Sequence, residues 1–328
     1  DASFLNNRLT GTFDWYRRNT KDMLVAGATL PATLGASVPK SNSADMKTIG
    51  WELSLGWNDR LENGFSYWVK GVLSDYQATI TKYAGNDAGF YSQSDDDGKY
   101  YVGQKIGEIW GYHSNGLFQS DDEAATIDQS ELYAGKWGAG DVKYEDLDND
   151  GKITKGEETI YNPGDKSIIG NKTPRYQFGI TVGFDYKNFD FEMFWQGTGK
   201  RDYMLSGAQF WGFTSQWDVP YTPALDYWTE TNTDAYFPRP GWQNGGNRVT
   251  SDRYLQSAAY GRLKNLTVGY TIPKNLTTKW GISRLRLYVT GENLLTITPL
   301  NDAFDPETLG GMTYPINRKV AIGLNLTL

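Results

Sequence analysis

Val320, Ile322, Leu324, Leu326 and Leu328 alternate with Ala321, Gly323, Asn325 and Thr327. Two residues is the side-chain period of a β-strand, so five branched aliphatics line one face and small or polar groups the other. Such a strand fits the wall of a transmembrane β-barrel, apolar towards lipid and polar inside. It fits equally a soluble sandwich in which the apolar face meets a second sheet. The alternation alone leaves both open.

The remainder of the 328 residues narrows the choice. No stretch of about 18 consecutive apolar residues exists, so no transmembrane helix is expected. Mean hydropathy is −0.57, which does not exclude a membrane, because only every second barrel residue meets lipid and long polar loops lower the average. There are 22 Tyr, 12 Trp and 14 Phe. Tyr and Trp suit the headgroup zone at both ends of a barrel, and the same rings also suit stacking on sugars. A net charge of −7 argues against nucleic acid as a partner, since phosphate neutralisation needs clustered Lys and Arg. Without cysteine, neither a disulfide framework nor a thiolate metal site can form. The opening Asp1-Ala-Ser-Phe4 has no leader pattern and reads as a mature or truncated product.

Along the chain, eight strands are expected: about 5–20, 49–57, 65–79, 176–186, 189–195, 266–272, 285–289 and 320–328. Glu62-Asn63-Gly64 and Lys187-Asn188 read as tight turns. The short connections 58–64, 186–188 and 273–283 then fall on one side, and the long ones 21–46, 80–173, 199–257 and 298–316 on the other. Outer-membrane barrels segregate loop lengths in this way. Residues 100–113 also carry strand character. On this reading Trp51, Leu53, Leu55, Phe178, Ile180, Val182, Leu324 and Leu326 face lipid, while Glu52, Ser54 and Asn325 face a lumen.

Residues 146–157, Asp-Leu-Asp-Asn-Asp-Gly-Lys-Ile-Thr-Lys-Gly-Glu, match the calcium-loop pattern. Asp146, Asp148 and Asp150 would converge, Gly151 would permit the sharp turn, Lys152 would offer its carbonyl and Glu157 a bidentate carboxylate. With Glu158, five carboxylates crowd 13 residues, which a structural Ca2+ would relieve. The ordinary alternative is a turn held by its own side-chain to backbone hydrogen bonds. Residues 199–257 form a long aromatic loop, and Trp211, Trp217, Trp228 and Trp242 are the candidates for substrate contact, although a self-packed loop core would claim most of its rings. Catalysis is not expected. His113 is the only histidine, and no nucleophile–base pair is legible. Gly197-Thr-Gly-Lys-Arg201 lacks both the glycine spacing and the helix of a phosphate loop.

A set of phrases, in order along the chain, resembles the C-terminal part of the SusC/RagA family of TonB-dependent outer-membrane transporters. They are Leu5-Asn-Asn-Arg-Leu-Thr-Gly-Thr-Phe-Asp-Trp-Tyr16, Thr20-Lys-Asp-Met-Leu24, Gly50-Trp-Glu-Leu-Ser-Leu55, Ile109-Trp-Gly-Tyr112, Gly116-Leu-Phe-Gln119, Gly140-Asp-Val-Lys-Tyr144 running into Asp148-Asn-Asp-Gly-Lys-Ile-Thr154, Ile169-Gly-Asn171, Arg262-Leu-Lys-Asn-Leu-Thr-Val-Gly-Tyr270, Gly291-Glu-Asn-Leu-Leu295 and Asp305-Pro-Glu307. Where the family commonly ends in Phe, this chain has Leu328. The resemblance implies an all-β chain, residues 1–328 being the C-terminal strands of a large, 22-stranded antiparallel transmembrane barrel with long extracellular loops at 80–173 and 199–257. It implies that the plug domain, the TonB contact and the earlier strands lie in an N-terminal portion of the same transporter. The implied function is TonB-dependent import of oligosaccharides or peptides across the bacterial outer membrane beneath a SusD-like surface lipoprotein. A passive porin and a soluble, β-rich carbohydrate-binding module are the alternatives.

Overall fold

The computed structural model describes residues 1–26, 33, 35, 39–91, 100–309 and 314–328. Parts of three expected long connections, at 27–38, 92–99 and 310–313, therefore lie outside the described residues, apart from 33 and 35. Nine strands form one antiparallel sheet in the order β1 (Ala2–Phe4), β2 (Leu9–Ala26), β3 (Lys40–Arg60), β4 (Ser66–Tyr83), β9 (Arg175–Tyr186), β10 (Phe189–Lys200), β13 (Tyr260–Thr271), β14 (Arg284–Ile297) and β15 (Lys319–Thr327). Three two-stranded ribbons lie within the connections: β5 (Glu108–Tyr112) with β8 (Lys166–Asn171), β6 (Ser114–Leu117) with β7 (Val142–Tyr144), and β11 (Asp202–Met204) with β12 (Leu255–Ser257).

The eight expected strands are present and several differ in extent; β10 runs on to Lys200 and β14 to Ile297. The first is interrupted at Leu5, Asn6 and Asn7, which all take positive φ and turn the short β1 back onto β2. The connection expected at 21–46 is shorter, because β2 and β3 stay paired as far as Ala26 and Lys40. The strand expected from 266 begins at Tyr260. Lys264 is an extra residue between Leu263 and Asn265, both of which pair with β10, so the alternation changes phase there and a period-two reading loses the strand.

Chain direction puts the connections 5–8, 61–65, 187–188 and 272–283 at one end of the sheet and the long ones at the other. The main hydrophobic core is not between sheets. It lies in the long connections, where Tyr112, Val142, Tyr144, Ile153, Leu205, Phe210, Tyr254, Leu300, Phe304 and Leu309 pack together. Irregular chain can be buried only if its polar groups find partners. Gln129 acts as a substitute strand here, accepting from the Tyr144 N–H at 2.9 Å and donating to the Val142 carbonyl at 3.0 Å. Asn247 accepts from the Val142 N–H at 2.8 Å and donates to Asp141 at 2.8 Å.

Candidate functional site

The register sorts the sheet's two faces. Trp57, Val69, Val182, Met193, Leu266, Gly291 and Val320 form one continuous row across seven strands, and Leu53, Leu73 and Phe178 lie side by side on the same face. On the other face Ser54, Val72, Gly179, Gln196, Arg262 and Thr296 form a row, as do Lys70, Thr181, Phe194, Asn265, Glu292 and Lys319. No second sheet covers the apolar face among the described residues. Phe13, Trp15, Leu55, Ile180, Val268, Val289, Ile322 and Leu324 are all exposed there. Soluble monomers rarely expose a contiguous apolar patch beyond about 300–600 Å².

Near the short-connection end, the apolar face carries a run of rings. Phe65 stacks on Phe184 at 5.5 Å between centroids, Phe184 on Phe191 at 5.1 Å, and Phe189 lies 4.7 Å from Tyr270. Aromatic belts occupy this position at a membrane–water boundary. On the polar face, a Cβ at residue 183 would come within 2.2 Å of the Trp68 ring, so glycine there lets the indole lie flat across the neighbouring strand.

In the loop layer the four candidate tryptophans separate. Trp211 and Trp228 are 9% and 8% exposed and belong to the aromatic core, so the expectation of substrate contact does not hold for them in this arrangement. Trp217 and Trp242 are 83% and 47% exposed. Tyr221 and Leu225, which follow Trp217 in sequence, are exposed too.

The carboxylate turn shows features of both readings. Asp146 accepts from the N–H groups of Asn149, Asp150 and Gly151, the last at φ +85°, and Asp150 accepts from the Lys152 N–H. Oxygens of Asp146, Asp148 and Asp165 also lie within 4.8 Å of one another. Asp165 is buried and was not among the sequence candidates; it is held by the N–H groups of Leu147 and Thr154. Asp150 and Glu157 are exposed and outside that group. Partial desolvation, with Asp150, Asp165 and Asp146 nearby, pushes the Asp148 carboxyl above its ordinary pKa. Desolvation acts the same way on Asp146, but the three amide donors outweigh it and the pKa falls.

The lone histidine is also placed where the sequence gave no sign. His113 Nδ1 lies 2.8 Å from Asp252 and Nε2 lies 2.7 Å from Ser167 Oγ, joining three stretches of the loop layer. Asp252 accepts from the Ser114 N–H through its other oxygen, so the carboxylate clamps two successive residues.

No protein-family model matches the chain. It is 29% identical over 355 residues to TonB-dependent receptor P3 of Formosa agariphila, an alignment that covers 99% of this chain and 33% of that protein. It is 25% identical over 333 residues to TonB-dependent receptor SusC of Bacteroides thetaiotaomicron, covering 99% and 31%. The chain thus spans about a third of the length of these relatives. In fold it resembles a chain of the RagAB peptide transporter, with a TM-score of 0.72 at 21% identity over 98% of this chain and 34% of that one. A chain of the RagAB importer in its open-open state gives 0.74 at 20% identity, covering 99% and 33%. These relatives are receptors and transporters by name, in keeping with a chain that is not an enzyme. Over nearly its whole length, in sequence and in fold, the chain is similar to TonB-dependent receptors and fits the C-terminal part of the SusC/RagA family.

Proposed function

We propose that the chain supplies the C-terminal strands of a closed, 22-stranded barrel in the bacterial outer membrane, in a TonB-dependent importer of nutrient oligomers. The observation that carries this is the sheet itself: nine strands in register, an uncovered apolar face, a polar face opposite, and all long connections at one end. The apolar face meets lipid, the polar face lines the lumen, and the connections 80–173 and 199–257 are extracellular. An N-terminal portion of the same transporter brings the plug, the TonB contact and the remaining strands. A SusD-like lipoprotein caps the loop layer. The substrates are oligosaccharides or peptides; the exposed Trp217 and Trp242 suit stacking on either, and the name of the RagAB relative favours peptides. A passive porin would need no plug, and a soluble carbohydrate-binding module would show no heat-modifiable mobility.

The orientation is tested one residue apart. In the assembled transporter Leu324→Arg should cost about 2–4 kcal/mol of barrel stability, and Asn325→Arg little. Spin labels at the two positions should report lipid and water respectively. The same environment at both would overturn the assignment.

We further propose that the turn at 146–157 binds a structural Ca2+ through Asp146 and Asp148, with Asp165 as a third carboxylate. Asp150, Lys152 and Glu157 stay candidates for the remaining oxygens. The convergence of three carboxylates supports this, since a hard cation needs about six to eight oxygen ligands. With Ca2+ at about ten times its Kd, binding adds about 1.4 kcal/mol to the ordered state. Chelation should therefore raise the rate of proteolysis within 120–170 roughly tenfold, reversibly. Cleavage indifferent to chelator would leave the turn held by its own hydrogen bonds.

A further inference from the structure

Three of the phrases noted in the sequence, around Arg262, Gly291 and Asp305, are apart in the chain and meet in space. The pairing of β13 with β14 is bulged at one level. Leu263 and Asn265 pair with Leu295 and Glu292, which leaves Lys264 extra on one strand, and Asn293 (φ +52°) and Leu294 extra on the other. Bulges re-aim side chains. Here Lys264 reaches Glu307, with Nζ 3.1 and 3.2 Å from its two oxygens. Arg262, on the polar face, donates to Thr296 Oγ1 at 2.8 Å and to Asp305 at 2.5 Å, and lies 3.1 Å from Glu307. Its side chain is 3% exposed.

What covers it is the connection after β14. Asp305 accepts from the N–H of Glu307 at 2.9 Å and its carbonyl accepts from Leu309 at 2.9 Å, closing a tight turn around Pro306. Leu300, Phe304 and Leu309, on the same stretch, enter the aromatic loop core. Residues 300–309 therefore have an acidic underside neutralised by two strand cations and an apolar side locked into the loop layer. Two positive and two negative charges balance; Arg262 is nearly out of reach of water while its partners are partly exposed, so removal of either carboxylate leaves the buried guanidinium short of a partner.

We propose that residues 300–309 form a fixed strap over the polar face, with Arg262 and Lys264 as its positioning residues. The strap sets the loop layer against the barrel wall, so that this side of the mouth keeps one geometry as substrate enters. The inference rests on the reading of the polar face as the lumen.

The test uses the complete transporter with its partner, purified from outer membranes and also assayed for uptake in cells. In Arg262→Gln, amide exchange across 300–309 should rise at least tenfold, and the substrate concentration for half-maximal uptake should rise severalfold with the maximal rate little changed. Lys264→Gln and Glu307→Gln should each do the same, and Lys264→Arg, which keeps the charge opposite Glu307, should leave both readouts near those of the unaltered protein. Unchanged exchange in Arg262→Gln would overturn the strap. Faster exchange with unaltered uptake, or a Lys264→Arg variant as impaired as Lys264→Gln, would overturn the positioning role. A spin label at Asn325→Cys in the same preparation distinguishes water from lipid on the polar face. A lipid signal there would overturn the lumen reading, and with it the role in entry, while leaving the exchange result to judge the strap alone.

Discussion

Refolded alone into detergent, residues 1–328 should give no monomeric, heat-modifiable barrel. The sheet runs linearly from β1 to β15, and among the described residues its two ends do not pair with each other. β15 bonds only to β14, and β2 is covered on its outer side by just three residues of β1. In hydrocarbon each unpaired N–H or C=O costs several kcal/mol, so open edges along Lys319–Thr327 and most of Leu9–Ala26 exceed any plausible folding free energy. On the proposed reading both edges pair with strands of the N-terminal portion: β2 beside its last strand, β15 beside its first. Native purification should bring that portion down in equal amount. A monomeric, heat-modifiable species from this chain alone would mean that β2 and β15 close on each other, and the 22-strand proposal would fall.

Phe210→Ala should cost about 3–5 kcal/mol, the usual loss for a fully buried phenyl ring. Phe210 is wholly buried, with Trp211, Phe237, Tyr254 and Phe304 all within 6.3 Å between ring centroids. The loss should fall on the loop layer, because the core that holds this ring draws its buried members from the long connections and their ribbons. In the assembled transporter, near-ultraviolet circular dichroism and resistance of 199–257 to protease should weaken, while heat-modifiable mobility persists. Loss of both together would mean that loops and wall unfold as one unit.

The wall was legible because its rule is local. From Phe178 to Phe184 and from Val320 to Leu326, every second residue is apolar or aromatic, and the register bears the alternation out. Where a bulge breaks phase, at Lys264 and Asn293, the strand ends as a pattern but continues as a structure. The loop layer obeys no such period. Nothing near Tyr144 announces that Gln129 will pair with its backbone, and nothing near Asp146 announces Asp165. Those partners are fixed by how several connections fold over one another. The same holds for His113, whose two partners come from other segments. Among the tryptophans, residue type gave four equal candidates, and only the packing distinguished Trp217 and Trp242 from the two that fill the core.

The strands are not of equal length. β2, β3 and β4 run for 18, 21 and 18 residues, whereas β9, β10 and β13 have 12 each. The six to nine further residues are about 20–30 Å of extended chain at roughly 3.3 Å per residue. Since the short connections share one level, the surplus stands at the loop end, and the rim slopes like a parapet raised along one arc. A rigid cover lowered onto it would meet the tall arc first and gape over the low one.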